Sequence, residues 1–228
     1  MSETAPVRVE EVIGRFSAAS NLTLLARAGG ELVVYKPAAG TRPLWDFAAL
    51  TLADREVLTH RVDEAMGLGI VPQTRRGDGP LGPGAVQRYV EPDPEFDPLP
   101  LIAEAHPVLW PVAVLDLVTN NADRKAGHVL REAGTGRLWA IDHGLTFHPE
   151  PKLRTVLWGF AGRELPAAVV AGLASLEQAL AAGLREEVAA ALGPAAGEAL
   201  YRRVRALRRR PCHPAPPRDR RPLPWPPY

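Results

Sequence analysis

The chain has 228 residues, a formal net charge of +1 and 46% hydrophobic residues. This length allows one large domain or a two-lobed unit with a cleft, and the near-neutral charge gives no general attraction to nucleic acid. The one cysteine, Cys212, excludes an intramolecular disulfide. Because the N-terminus lacks an apolar signal core and polar residues interrupt the apolar stretch 166–182, we expect a cytoplasmic protein without stable membrane insertion.

The first forty residues have the pattern of an antiparallel β-meander. They contain three apolar runs, and Gly29-Gly30 between the second and the third is a hairpin signal. Lys36 stands near the end of the third run. Further on, Thr51 and Gly67 are suitable residues for the start and the end of a helix with an apolar stripe. The predicted strands are 9–16, 22–28 and 31–37.

Two more strands are predicted at 70–76 and 85–91, joined by a turn at 78–84 that is nearly all Gly, Pro and Asp. The proline-rich connector at 92–99 is typical of a hinge between lobes. This connector divides the chain into its parts. We predict an N-lobe at 1–91, an interlobe linker at 92–99, a C-lobe at 100–210 and a Pro/Arg-rich tail at 211–228.

The C-lobe is predicted to be mainly helical. The apolar segment after Pro111 favours one helix, and apolar residues at helical spacing favour further helices from Pro166 to Arg210. Two short paired strands are predicted at 128–132 and 138–144.

The end of the chain is rich in arginine and proline. The basic run from Arg202 to Arg210 is typical of a solvated helix face, and the alternative is a site for anionic lipid or phosphate. The tail after it has too few apolar residues for a core of its own. We expect Trp225 and Tyr228 to pack back onto the domain.

Three charged residues occur along the chain in an informative order. Lys36 ends a strand, Asp123 lies in an Asn-Ala-Asp-Arg loop, and Asp142 follows a strand in an Asp-His-Gly turn. Kinases use a strand lysine, a loop aspartate and an Asp-x-Gly turn, in this order, for phosphoryl transfer. The transferred group is negatively charged, so a lysine and a metal ion must neutralise it. Glu56, on the predicted first helix, could pair with Lys36 and aim it into the cleft.

Several segments resemble known kinases. NNADRKAGHVL and AIDHGLTFH are similar to the catalytic and metal loops of the phosphatidylinositol 3-/4-kinase superfamily, above all the type II phosphatidylinositol 4-kinases. With VYKPAAGTRPLWDF, TLADREV and KLRTVLWGFAG, they also resemble an actinobacterial phosphatidylinositol-kinase-like family over nearly the whole chain. The resemblance implies an α+β, two-lobed protein-kinase-like fold, with a small β-rich N-lobe and a helical C-lobe.

The resemblance also implies roles for individual residues. Lys36 matches the phosphate-contacting lysine and Glu56 its helix partner. Asp123 matches the catalytic aspartate, and Arg124 belongs to the same catalytic motif. Asp142 matches the main metal ligand.

The nucleotide would lie between the linker and the loop after the first strand. The segment from Gln87 onward resembles the interlobe linker, so Gln87, Tyr89 and Val90 would surround the adenine. The loop over the phosphates is not glycine-rich in this chain. Its candidate donors are Ser17 and Ser20.

His128 occupies the second metal position, where lipid kinases usually have asparagine. An imidazole is a softer ligand, which favours Mn²⁺ over Mg²⁺. With His143 and His148 it could instead form the zinc site of a metallohydrolase, although the spacing is not a usual zinc pattern and no cysteine accompanies it.

We therefore predict an ATP-dependent phosphotransferase that uses Mg²⁺ or Mn²⁺. Its partners would be the nucleotide and an acceptor hydroxyl on a protein side chain, a small molecule or an inositol lipid, with no nucleic acid. The alternative is a catalytically inactive nucleotide-binding pseudokinase that acts through partner binding.

Overall fold

The N-lobe is built on a curled six-stranded sheet with the order β1-β5-β6-β4-β3-β2. The structure is a computed structural model, which describes residues 5–17, 21–41 and 46–228. The predicted meander is confirmed, because β2, β3 and β4 pair antiparallel in sequence. The strands are β1 (Val7–Arg8), β2 (Glu11–Arg15), β3 (Leu24–Ala28), β4 (Glu31–Pro37), β5 (Thr74–Gly79) and β6 (Gly82–Arg88).

Strand β4 separates the lobe's small core from its cleft face. Tyr35 is opposite Val86 of β6, and both belong to the apolar cluster inside the curl of the sheet. Successive side chains of a strand point to opposite faces. Lys36 therefore projects to the other face, toward the first helix and the C-lobe.

The hairpin β5–β6 differs from its predicted form. The observed turn is shorter than the predicted turn at 78–84, because β5 continues to Gly79 and β6 begins at Gly82. Glycine is needed within these strands for close packing. A Cβ on Gly84 would lie 2.3 Å from the Lys36 carbonyl oxygen, and one on Gly77 would lie 2.3 Å from a Val86 methyl carbon.

Helix α1 (Leu52–Met66) joins the two lobes, and the predicted helix is confirmed. It ends at Gly67, whose φ of 65° lies in the left-handed region. Leu58, Val62 and Met66 are buried in the large core. The close approach of this helix to the C-lobe requires Gly172, where a Cβ would lie 2.7 Å from the Met66 carbonyl oxygen.

The C-lobe is helical around that large core, with one short antiparallel hairpin. The predicted helix after Pro111 and the predicted strand pair are confirmed. Its elements are α2 (Leu99–Ala103), α3 (Trp110–Thr119), β7 (Val129–Arg131), β8 (Leu138–Ala140), α4 (Ala167–Ala179), α5 (Arg185–Leu192) and α6 (Pro194–Arg209).

One helical stretch bears on the expectation that no segment spans a bilayer. Ala167–Leu192 has 26 residues and contains an 18-residue window with a mean hydropathy of 1.5, which is long and apolar enough by length and composition alone to cross a membrane. Leu173 and Leu176 on this stretch are fully buried in the C-lobe core. Gly183, at φ 124°, interrupts the regular helix geometry between α4 and α5.

The tail packs on the C-lobe through backbone carbonyls and the buried His213 ring, rather than through Trp225 and Tyr228. The Pro222 carbonyl accepts from the Trp158 indole at 2.9 Å, and the Pro227 carbonyl accepts from the Ala126 N–H at 2.9 Å. Trp225 and Tyr228 remain 73% and 61% exposed. The expectation that these rings pack back onto the domain is therefore wrong for most of their surface.

Candidate active site

Lys36 stands where the N-lobe, helix α1 and the C-lobe meet. Its Nζ lies 2.5 Å from Glu56 Oε1 and 3.4 Å from Asp142 Oδ1. Burial by itself would lower the pKa of Lys36, but the two carboxylates outweigh it and raise the pKa above its ordinary value. The ammonium therefore remains charged throughout the physiological range.

Glu56 connects helix α1 to the loop that carries Asp142. It is 3% exposed. One oxygen accepts from Lys36, and the other accepts from the His143 backbone N–H at 3.0 Å. A rotation of α1 would therefore move both the lysine and this loop.

Asp142 presents its carboxylate at the mouth of the cleft. Its backbone is in the left-handed region with φ 62°, which is uncommon for residues other than glycine and asparagine. The side chain is 51% exposed. Desolvation within the cleft raises the pKa of Asp142, but Lys36 and His128 outweigh it and hold the pKa well below its usual range.

His128 contacts Asp142 as a neutral ring. Its Nε2 lies 3.3 Å from Asp142 Oδ2, and burial lowers the pKa of His128 to about 4. Its Nδ1 accepts from the Lys125 N–H at 3.5 Å, so the ring proton lies on Nε2 and points to Asp142. Coordination of a metal by Nε2, the predicted role, requires this proton to move to Nδ1.

Asp123 lies in the loop after α3, which Asn121 shapes by accepting the Asp123 N–H at 3.0 Å. The Asp123 carboxylate is 28% exposed and lies 3.6 Å from Lys125 Nζ. Burial raises the pKa of Asp123 to about 6, with a further increase from Asp142 and an opposing effect of Lys125. A carboxylate of this kind can accept a proton near neutral pH.

Arg124, predicted to be catalytic, is fully buried and turned away from the cleft. Its guanidinium lies 3.0 Å from Asp116 on α3, and it donates to the His128 and Ile141 carbonyls at 3.3 and 2.9 Å. It also lies 2.7 Å from His143 Nε2. Arg124 can act on a reaction only by positioning the two loops, because its side chain is completely buried and its donors face protein groups.

The sequence reasoning missed Asp116. It is a lone carboxylate in the apolar helix Trp110–Thr119 and is fully buried. A buried charge needs a partner. An aspartate in such an apolar helix therefore indicates that a cationic side chain of the C-lobe is buried as its ion-pair partner. Asp116 also accepts from Asn121 at 2.9 Å.

The three residues predicted to contact the adenine have different surroundings from one another. Gln87 is buried in the sheet, and its amide donates to Thr74 Oγ1 at 2.8 Å. Val90 is 5% exposed, and no hydrogen bond between described residues involves its backbone. Tyr89 precedes it, with its N–H donating to Leu32 at 3.2 Å.

Two serines, Ser17 and Ser20, are predicted to lie over the phosphates. Ser17 is exposed just after β2, in the connection between β2 and β3. Ser20 lies outside the described residues.

Metal-binding groups are few in this cleft. Over residues 5–17, 21–41 and 46–228, no group of three or more His, Cys, Asp or Glu side chains could hold a metal ion. The predicted zinc cluster of His128, His143 and His148 therefore finds no support. Asp142 with His128 is a partial donor set, which fits an ion that also takes phosphate oxygens and water.

The arrangement of two lobes around this cluster defines a kinase-like fold. No family model matches the chain. The crystal structure of the Helicobacter pylori proinflammatory kinase CtkA superposes with a TM-score of 0.57 at 12% identity, covering 90% of this chain and 93% of that chain. At this identity the likeness establishes the fold alone.

A relative by sequence identifies the family. The chain is 38% identical over 256 residues to protein Rv2133c of Mycobacterium tuberculosis (strain ATCC 25618 / H37Rv), with 95% of this chain and 91% of that protein covered. The chain therefore belongs to the family of protein Rv2133c. The predicted kinase-like, two-lobed α+β fold is confirmed, while the narrower likeness to type II phosphatidylinositol 4-kinases stays a prediction.

Proposed function

We propose that this protein is an ATP-dependent phosphotransferase whose reaction takes place at the Lys36 cluster. The observation that carries the proposal is the position of Lys36 Nζ, 2.5 Å from Glu56 and 3.4 Å from Asp142. These three residues come from a strand, a helix and a loop that are far apart in sequence. A lysine held by a helix carboxylate beside an Asp-x-Gly aspartate is the arrangement that protein kinases use for phosphoryl transfer.

Each residue has a role that its surroundings support. Lys36 is charged, and Glu56 holds it in the cleft, so it is suited to binding the phosphate oxygens. Asp123 has a pKa raised to about 6, so its carboxylate can orient the acceptor hydroxyl and take its proton. Arg124 fixes the distance between the Asp123 and Asp142 loops.

Asp142 and His128 are the residues that would hold a divalent metal ion, Mg²⁺ or Mn²⁺. When bound, the ion would supply positive charge against the phosphate oxygens. Asp142 is ionised at neutral pH and half exposed, as a ligand for such an ion must be. The adenine would lie against Val90, whose unpaired backbone groups could hydrogen-bond to it.

The second candidate is an inactive nucleotide-binding protein. Two observations favour it. The connection after β2 offers Ser17 rather than a run of glycines. Because His128 Nδ1 accepts from the Lys125 N–H, the neutral ring carries its proton, and not a lone pair, on the Nε2 that lies 3.3 Å from Asp142. Both candidates bind nucleotide, and they differ only in turnover.

The test is thermal unfolding with ATP, with and without Mg²⁺ or Mn²⁺, followed by measurement of ATP turnover. Nucleotide at about 100 times its dissociation constant should add about 2.7 kcal/mol to the free energy of unfolding. Asp142→Asn should remove the metal-dependent part of this gain, whereas Asp123→Asn should retain it and lose most, but not all, of the turnover. Binding without turnover in the wild type would select the inactive alternative. No stabilisation by millimolar ATP with either metal would refute both.

A further inference from the structure

A groove on the C-lobe, separate from the Lys36 cluster, has the size of a small-molecule site. Its volume is about 860 Å³, and it lies between α6, the segment after the Asp142 loop and the beginning of the tail. Ligand sites for small molecules usually have volumes of about 300–1,000 Å³. None of Lys36, Glu56, Asp123 and Asp142 lines it.

The charged residues of this groove are all basic. Arg202, Arg203, Arg210 and Arg220 line it, and no aspartate or glutamate does. Among the described residues, Arg220 alone of these four has an acidic partner, Asp219 at 3.2 Å. The positive charges of Arg202, Arg203 and Arg210 are not balanced by an acidic partner among the described residues, and like charges along one concave surface repel one another. The charge of the groove is therefore complementary to an anionic ligand.

Two of the lining residues carry a buried nitrogen that has no partner among the described residues. Arg203 donates through Nε to the Val118 carbonyl at 2.8 Å, while its Nη2 is unpaired. His213 is 1% exposed. Its Nδ1 pairs with the Pro214 carbonyl at 3.0 Å, which leaves Nε2 unpaired. Buried polar atoms are usually hydrogen-bonded. The unused donor Nη2 of Arg203 suits an anionic acceptor, whereas His213 Nε2 is a lone-pair acceptor, because Nδ1 donates to the Pro214 carbonyl, and does not itself favour an anion.

The remainder of the groove is apolar. Leu117 comes from α3, Leu153 from the segment after the Asp142 loop, and Ala199 and Leu207 from α6. An apolar wall with a few polar groups is typical of sites that take an organic ligand rather than a bare ion. A small inorganic anion would satisfy the arginines but would leave these walls in water.

We infer that this groove binds a small amphipathic anion, a molecule with a phosphate or carboxylate head and an apolar body. The head pairs with Arg202, Arg203 and Arg210, and the body covers the leucines. The ligand also touches Asn120, whose side chain holds the His148 and Glu150 carbonyls at 2.8 and 2.7 Å. Asn120 begins the loop of Asp123, so the groove adjoins the back of the candidate active site.

The test measures binding of dodecyl phosphate and of dodecanoate, each below its micelle concentration, by isothermal titration calorimetry on the full chain. Inorganic phosphate is the probe for the head alone. We expect one site per chain for at least one amphiphile, with inorganic phosphate at least 100-fold weaker. The double variant R202A/R210A should weaken binding at least tenfold. Neither residue has an ion-pair partner among the described residues, so both changes should leave the fold intact.

The matched control is R205A/R208A, which removes the same charge from the same helix. Both arginines pair with Glu177 and neither lines the groove, so binding should change less than twofold. Lys36→Met should also bind normally, which separates this site from the proposed nucleotide site. Equal losses in the two double variants would overturn the inference. So would equal affinity for inorganic phosphate, or binding to anionic vesicles without binding of any monomeric amphiphile.

Discussion

Two ion pairs of this molecule have the same chemistry but different surroundings. Lys36 pairs with Glu56 in the cleft, and Arg124 pairs with Asp116 inside the C-lobe. The Lys36 side chain is 19% exposed, whereas both members of the second pair are completely buried. Lys36 has a further contact with Asp142, which is half exposed, while the donors of Arg124 face Asp116, backbone carbonyls and His143.

The difference shows which charge is available to a ligand. An ammonium next to a partly solvated carboxylate can exchange part of its pairing for a phosphate oxygen. A guanidinium whose donors are used inside the protein cannot, and its desolvated partner depends on it. We therefore propose ligand binding for Lys36 and a structural role in the loops for Arg124, although the sequence motif places Arg124 beside Asp123, the proposed catalytic aspartate.

The strongest test of this contrast is Arg124→Met. The substitution leaves the Asp116 carboxylate buried without its cation, which costs about 3–5 kcal/mol of unfolding free energy. The measurement is chemical denaturation. Arg131→Met is the control, because Arg131 pairs with Asp93 at 2.8 Å at a partly exposed position and should cost less than about 1 kcal/mol.

If Arg124→Met does not fold, Arg124→Lys provides the same information. Lysine keeps the charge but lacks the planar fork that reaches several acceptors at once, so we expect an intermediate loss of stability. A loss for Arg124→Met no larger than that of Arg131→Met would contradict the structural role.

Lys36→Met should have the opposite profile, with a smaller change in stability and a larger change in ligand binding. Hydrogen bonds to charged groups contribute about 1.5–3 kcal/mol, which corresponds to a loss of roughly 10- to 100-fold in ATP affinity. The measurement is a titration of nucleotide with the metal present. ATP affinity equal to that of the wild type, in a folded variant, would remove Lys36 from the site.

The sequence predicted the local elements of this contrast well. The apolar run after the Gly29-Gly30 hairpin signal placed Lys36 on a strand, Thr51 and Gly67 marked the limits of α1, although the Thr51 side chain does not cap it, and the order of motifs related Asp123 to Asp142. These signals are local, or belong to a motif read as one unit. Glu56 was named as the partner of Lys36 because the family motif supplies that pairing, and the contact is present in the structure.

The long-range contacts could not be obtained in this way. The burial of Arg124 depends on a helix that crosses behind the loop, and its position within the Asn-Ala-Asp-Arg motif carries no information about that helix. The tail shows the same limit, because many of its contacts use backbone groups, such as the carbonyls of Pro222 and Pro227. Carbonyls are present in every residue, so no side-chain pattern identifies the ones that will be used.

The smallest expected effect concerns the pH dependence of the proposed reaction. Burial raises the pKa of Asp123 to about 6. Below this pH the carboxyl is protonated and cannot accept the proton of an acceptor hydroxyl, and above it the carboxylate is available. ATP turnover at saturating nucleotide should therefore rise with pH through a midpoint at about 6 and then reach a plateau. His128 cannot cause this midpoint, because burial lowers its pKa to about 4.

Lysine variants test the assignment of this midpoint to Asp123, because Lys125 is the main charge that opposes the effect of burial on the Asp123 pKa. Its Nζ lies 3.6 Å from the carboxylate, so Lys125→Ala should move the midpoint to higher pH. Lys152→Ala is the matched control. Lys152 pairs with Asp46 at 3.2 Å and is not among the causes of the raised Asp123 pKa, so the midpoint should stay in place.

The remaining turnover of Asp123→Asn should show no midpoint near pH 6, since the amide does not titrate. A midpoint that persists in this variant, or that moves equally in both lysine variants, would assign the titration to another group.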